Sequence, residues 1–141
     1  MTITIAELFS LTNMIAMLMW VLMIGLPKWK ITRFLMTYKI VPIFLSFFYV
    51  YFMVSHLLAG GGLDFGNLGS VMALFTFENA LMAGWIHYLA FDLLIGIWMI
   101  KENEQLGIHP FLMAPCLFGT FMLGPVGFLL FMLIRTIKLS K

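Results

Sequence analysis

The sequence predicts an all-α integral membrane protein: a bundle of four transmembrane helices forming a single domain over residues 1–141. Hydrophobic residues make up 63% of the chain and charged residues only 10%, whereas soluble domains carry about 25% charged residues. The apolar residues also form four long runs, each near the roughly 20 residues that a helix needs to cross a bilayer. A chain this apolar cannot bury its side chains in one soluble core, so we expect lipid to be its solvent.

The same composition excludes several classes of function. The net charge of +2 comes mostly from lysines and arginines in loops and at the ends, too few and too scattered to bind nucleic acid. Cys116 is the only cysteine, so the chain can form neither an internal disulfide nor a cysteine-based metal site. The histidines and carboxylates match neither the His-x-x-x-His clamp nor the Glu-x-x-His pattern of di-iron bundles, and we predict no metal site.

The first predicted helix covers about residues 5–26 and ends at Pro27. Its front is acidic at Glu7 and no small-residue cleavage site follows, so we expect a retained span rather than a signal peptide. A basic hairpin, Lys28–Arg33, comes next, with Trp29 suited to the headgroup level. Because cytoplasmic loops carry an excess of lysine and arginine, we expect this hairpin in the cytoplasm and the N-terminus outside.

The second predicted helix, about residues 38–58, is unusually aromatic, and its centre reads FLSFFYVYF. These rings are expected either to fill helix packing and an interfacial belt, or to form a wall for a long conjugated or lipid-like ligand. The candidate wall residues are Phe47, Phe48, Tyr51 and Phe52. The following stretch, 59–70, has five glycines and no lysine or arginine, which favours an outside loop.

The third predicted helix, about residues 71–100, holds the ionisable groups of the membrane interior. Glu78 is expected near the outer surface, close to His56 across the glycine-rich loop, His87 near mid-membrane and Asp92 deeper. Such groups cost at least about 2.5–3.5 kcal/mol each at the bilayer centre, so they rarely face lipid and often mark function. We therefore expect the site to be built around His87, Asp92 and Glu78, with Trp85 and His56 nearby.

Helical spacing constrains how the two deepest groups can cooperate. The azimuths of His87 and Asp92 differ by about 140°, so one helix cannot aim both at a single atom. They are expected to reach around a bound molecule or to be linked by a water or by Tyr88. Tyr88 and Asp92 are four residues apart and can bond directly.

The fourth predicted helix, about residues 110–134, contains Pro115, Gly124 and Pro125. Four spans would place the C-terminal cations Arg135, Lys138 and Lys141 outside, against the positive-inside rule. Because the first loop usually dominates orientation, we keep four spans. The alternative is that the segment dips into the membrane and returns at the Gly124–Pro125 break.

The motif Trp85-Ile86-His87-Tyr88-Leu89-Ala90-Phe91-Asp92, with its Trp-x-His-x-x-x-x-Asp core, resembles a signature of a known family. This is the neoxanthin-synthase-like family, also called the abscisic-acid-deficient-four-like family. The downstream runs resemble those of its bacterial members: Gly107-Ile108-His109-Pro110, Leu112-Met113-Ala114-Pro115-Cys116, Gly124-Pro125-Val126-Gly127 and Arg135. The clear likeness covers roughly residues 75–135; the first half resembles the family only in hydropathy.

The resemblance implies a multi-pass membrane protein associated with carotenoids, expected in the bacterial cytoplasmic membrane. In plants the family is linked to converting the epoxide violaxanthin into the allene neoxanthin. That isomerisation needs an acid for the epoxide oxygen and a base for a carbon-bound proton, and no redox cofactor. A carboxyl that stays protonated in low dielectric, Asp92 or Glu78, would be the acid, and a neutral His87 the base. A bound carotenoid or lipid is the expected ligand.

Two other classes of function remain open on the sequence. A non-enzymatic accessory or pigment-holding subunit, in a larger membrane complex or a homo-oligomer, needs only the aromatic second helix and small-residue faces. A haem-binding electron-transfer protein would use His56 and His87 as axial ligands. Their predicted depths differ by roughly 10–15 Å, which is too far for one iron.

Overall fold

The computed structural model describes residues 3–140, while Met1, Thr2 and Lys141 lie outside the described residues. Residues 3–140 form seven helices and no strand. In chain order the helices are α1 Ile5–Gly25, α2 Lys30–Thr37, α3 Ile40–Leu58, α4 Leu68–Leu74, α5 Glu78–Leu106, α6 Pro110–Leu123 and α7 Pro125–Leu139.

Three of these helices, α1, α3 and α5, are long and apolar enough to cross a membrane. Their outward faces carry many large exposed apolar side chains, and lipid can solvate that surface where water cannot. The chain is therefore an all-α membrane protein. Four full-length spans are not confirmed.

Helix α5 is the centre of the bundle and packs against α1, α3, α6 and α7. Small residues let its neighbours approach closely, as is common between membrane helices. At Gly96, for example, an added Cβ would lie 2.6 Å from the Trp20 ring and 2.7 Å from the Met23 methyl. Trp20 and Met23 are both fully buried, so this contact fixes α1 against α5.

The predicted fourth span is instead two short helices, α6 and α7, of 14 and 15 residues. Each is about 21–23 Å long, less than the roughly 30 Å hydrocarbon core. The chain reverses at Gly124, whose φ of 38° and ψ of −90° favour glycine. Pro125 then starts α7, where its missing N–H is harmless.

Contacts along α7 show that it runs back beside α6. Near the turn, the Gly127 backbone packs directly on the backbone of Cys116 and Thr120. At the far end, Arg135 forms a salt bridge of 2.7 Å with Glu102 of α5. The uninterrupted span over 110–134 is therefore wrong. The alternative, a segment that enters and returns at the Gly124–Pro125 break, describes the structure.

This reversal removes the conflict over charge. The seven lysines and arginines of residues 3–140 all lie at one end of the bundle, on or beside α2, the end of α5 and the end of α7. Arg135 and Lys138 reach Glu102 and the Gly107 carbonyl there, so the expectation that they lie outside, opposite the basic hairpin, is corrected. From this gathering of charge, the positive-inside rule predicts that this end faces the cytoplasm.

Two other stretches of the chain differ from the prediction: the basic hairpin is partly helical, and the third predicted helix is two helices. The basic hairpin folds as α2, with Thr32 and Met36 buried, and Lys39 adopts a left-handed conformation (φ 50°) before α3 begins. The predicted third helix, 71–100, is the short α4 followed by α5, which continues to Leu106. Most of the connection between the predicted third and fourth helices, residues 101–109, is therefore the last part of α5.

Candidate functional site

His87 lies in a groove of about 230 Å³ formed by α3, α4, α5 and the loop that precedes α4. Its ring stacks on Phe91, with ring centroids 4.5 Å apart, and lies 6.0 Å from the Tyr49 ring. We call this the His87 groove; its lining residues are Tyr49, Met53, Phe65, Leu74, Phe75, Ala80, Gly84 and His87. Only two of these side chains are polar, the Tyr49 phenol and the His87 imidazole.

The walls of the His87 groove depend on close aromatic packing. Phe75, at the end of α4, covers Gly84 of α5, where an added Cβ would lie 2.7 Å from the Phe75 ring. Phe65 is contributed by the glycine-rich loop. Sequence reasoning missed Tyr49, Phe65 and Phe75, because nothing local shows that α4 and the loop fold back onto α5.

Trp85 and Tyr88 face a different side of α5. The Trp85 indole N–H donates to Asn13 of α1 at 3.0 Å, and its ring packs 5.4 Å from that of Tyr88. The Tyr88 hydroxyl donates to the carbonyls of Phe121 and Met122, at 3.1 and 3.3 Å. These carbonyls end α6 and have no partner inside the helix, so Tyr88 caps the hairpin turn.

Asp92 lies at the same turn, near the middle of α5. A Cβ added to Gly124 would lie 2.9 Å from its Oδ1, and its Oδ2 is buried without a hydrogen-bond partner among the described residues. The Tyr88 side chain also lies within interaction distance of Asp92, as expected for residues four apart, although its hydroxyl donates to the carbonyls of α6.

The structure thus places His87 and Asp92, the two central residues of the sequence hypothesis, on different sides of α5. His87 faces α3 and the groove, whereas Asp92 faces the turn between α6 and α7. This arrangement follows the 140° difference in azimuth expected for positions five apart on a helix of about 3.6 residues per turn. Of the expected groups, only His87 lines the groove.

His56 holds the glycine-rich loop in place. It is 2% exposed, its Nε2 lies 3.2 Å from the Gly62 carbonyl oxygen, and its ring lies 5.2 Å from that of Phe77. Gly61 passes so close to the imidazole that no side chain fits there. Glu78 begins α5 as an exposed residue. Phe77 thus packs on His56 where Glu78 was expected.

The four aromatic residues proposed as one ligand wall do not share a face. Phe47 and Tyr51 are 71% and 60% exposed on the outside of α3, while Phe52 is 1% exposed inside the core. Phe48 is partly buried against that core. Exposure thus divides these four residues between the outside of α3 and the core, whereas Tyr49, which lies between them in the sequence, lines the His87 groove beside His87 of α5.

No group of three or more His, Cys, Asp or Glu side chains within residues 3–140 is placed to hold a metal ion.

No curated protein and no solved structure matches the chain. A family model described as ABA DEFICIENT 4-like matches residues 7–131, which include most of α1, all of α2 to α6, the His87 groove and the first half of α7. The chain belongs to the ABA DEFICIENT 4-like family.

Proposed function

We propose that the protein binds one ring end of a carotenoid or related isoprenoid lipid in the His87 groove and isomerises it by acid–base chemistry. The observation that carries the proposal is the groove itself, an apolar aromatic pocket with one phenol and one imidazole. Its 230 Å³ is smaller than the roughly 300–1,000 Å³ of pockets that enclose a whole ligand. That size suits the end of a long molecule whose chain stays in lipid.

The location of the groove fits a substrate that arrives through the bilayer. It lies between two membrane-length helices, α3 and α5, and His87 is exposed at its edge. An apolar molecule can therefore enter sideways from lipid without crossing water. Because the ligand leaves lipid rather than water, there is no hydrophobic gain, and close packing of its ring against Phe65 and Phe75 has to supply the binding free energy.

Tyr49 and His87 are suited to opening an epoxide. The Tyr49 phenol can donate its proton to the epoxide oxygen as the C–O bond breaks. The His87 imidazole, acting as the base, can accept the carbon-bound proton whose electron pair forms the new double bond. Proton transfer from the imidazolium back to the phenolate restores both groups, and the substrate is neither oxidised nor reduced.

This assignment differs from the pair suggested by the sequence, in which Asp92 or Glu78 supplies the acid. Asp92 lies across α5 beside Gly124, and Glu78 is exposed at the start of α5. Tyr49 needs no rearrangement to share a cavity with His87.

A matched pair of tyrosine variants tests the proposal. Purified protein in detergent is incubated with a xanthophyll epoxide, and conversion is followed by absorption spectrum and by a product of unchanged mass. We expect Tyr49→Phe and His87→Ala to lower the rate by about 10²-fold or more, the usual contribution of an acid or base. Tyr51→Phe makes the same chemical change on the exposed face of α3 and should leave the rate unchanged.

The outcomes separate the competing assignments. Loss of activity in Asp92→Asn, with Tyr49→Phe fully active, would return the acid role to Asp92. Retention of the pigment without conversion would indicate a pigment-holding protein. Absence of both binding and conversion in the parent protein would overturn the proposal.

A further inference from the structure

A second, larger cavity of about 590 Å³ lies at the opposite end of α5, between the end of α1, α2 and the start of α6. We infer that this cavity, here called the inner cavity, binds an anionic phospholipid, with the lipid phosphate at its mouth and an acyl chain along its floor. The site is separate from the His87 groove and does not depend on the proposed isomerisation.

The mouth of the inner cavity carries an excess of positive charge. Lys28 and Arg33 both line it and are exposed. Within residues 3–140 the one salt bridge joins Arg135 to Glu102, so neither of the two cations has a carboxylate partner there. Glu104 also lines the mouth, which leaves two cations against one carboxylate. A phosphate oxyanion is a suitable partner for such a pair.

The turn after α5 also lines the inner cavity, and a side chain holds this turn in place. The Asn103 side chain closes the turn after α5 by accepting from the Ile108 N–H at 2.7 Å and donating to the Ile108 carbonyl at 3.1 Å. Its amide is therefore engaged and holds the turn in place. The mouth is thus built before any ligand arrives, and binding costs little ordering of this turn.

The floor of the inner cavity is apolar and reaches into the membrane. Met23 and Ile24 come from the last turns of α1, and Met113 and Leu117 from the first two turns of α6. Leu117 lies seven residues into α6, which is about 10 Å along the helix axis. The cavity therefore extends from the charged end of the bundle into the hydrocarbon region.

This combination of mouth and floor selects the occupant. Inorganic phosphate would match Lys28 and Arg33 but leave the apolar floor empty. A neutral isoprenoid would fill the floor but leave both cations without a partner. An anionic phospholipid satisfies both, and anionic lipids are attracted to basic segments next to a membrane helix.

Native mass spectrometry of the full chain in detergent tests the site. Phosphatidylglycerol is the probe, with phosphatidylcholine and inorganic phosphate as alternatives. We expect phosphatidylglycerol to be retained and Lys28→Gln with Arg33→Gln to weaken retention at least about tenfold. The matched control, Lys30→Gln with Lys39→Gln, removes the same charge from the same region outside the cavity and should change retention less than about twofold.

A third variant tests the floor without changing charge. Ala114 lines the cavity, and Ala114→Phe should fill it and weaken phosphatidylglycerol retention while the protein stays folded and monodisperse. Equal losses in the two charge variants would overturn the inference, because they would show general surface attraction. Equally tight binding of phosphatidylcholine, or full displacement of the lipid by millimolar phosphate, would also overturn it.

Discussion

Replacing Gly127 by alanine should destabilise the hairpin of α6 and α7. An added Cβ would overlap the backbone nitrogen of Thr120 and the backbone oxygen of Cys116. Neither atom is the end of a flexible side chain, so α7 must move away from α6. Overpacking of this kind costs about 1–3 kcal/mol, and alanine recovers only about 0.5–1 kcal/mol as the better helix former. The difference spans about 0–2.5 kcal/mol, and because both overlaps are with backbone atoms we expect a net loss of unfolding free energy in the upper half of that range.

Gly25→Ala is the matched control for this change. Gly25 is also helical, the last residue of α1, and an added Cβ there meets nothing within 4 Å. The same substitution should therefore stabilise the protein slightly, by less than about 1 kcal/mol. The two alanine variants should differ in the sign of their effect.

Reversible unfolding in mixed detergent micelles, followed by tryptophan fluorescence, measures the difference. Trp98 of α5 reports directly on α7, since its ring lies 5.9 Å from Phe128 and 5.6 Å from Phe131. If Gly127→Ala is as stable as Gly25→Ala, the reasoning is refuted. A continuous helix over 110–134 would instead gain from alanine at position 127.

Three further predictions concern topology, an ion pair and the buried carboxylate. Single cysteines at Lys30 and Ser140, in a chain without the native cysteine, should be labelled from the same side of the membrane and a cysteine at Asp64 from the other; labelling of Ser140 together with Asp64 would restore the fourth span. Glu102→Gln should lower the unfolding free energy by less than about 1 kcal/mol, because its partly exposed salt bridge is screened by solvent. Asp92→Asn should leave that free energy unchanged or raise it, since the buried Oδ2 has no hydrogen-bond partner among the described residues and an amide can keep the contact with Tyr88; a loss above about 1 kcal/mol would show that the carboxylate itself stabilises the fold.

Much of the hairpin could not be predicted from sequence, although its signals were visible. Gly124 and Pro125 mark a break, but a membrane helix can also kink at such residues and continue. What decides between kink and reversal is the fit of α7 onto α6 at Gly127 and the ion pair between Arg135 and Glu102. Those contacts join residues far apart in the chain, so local patterns do not contain them.

The composition of the functional region was predictable, but its geometry was only partly so. The ionisable groups of α5 could be recognised because they interrupt a long apolar segment. Helical periodicity correctly predicted that His87 and Asp92 point in different directions. The partners of each group came from other elements: Tyr49 from α3 for His87 and Gly124 from the hairpin turn for Asp92. The division of the four proposed wall residues between the outside of α3 and the core could not be predicted, because α3 has apolar residues on all sides and its sequence does not reveal which face meets lipid.

The sequence by itself determined that this chain is a helical membrane protein, that its first three long apolar segments contain helices able to span, and to which family it belongs. Those properties depend on composition, run length and local motifs, which need no knowledge of neighbours. The tertiary structure alone decided that the last segment turns back, that the described cations gather at one end, and that His87 shares a groove with Tyr49 rather than with Asp92. In lipid, apolar surface carries no preference for inside or outside, so only close packing between helices could make these choices.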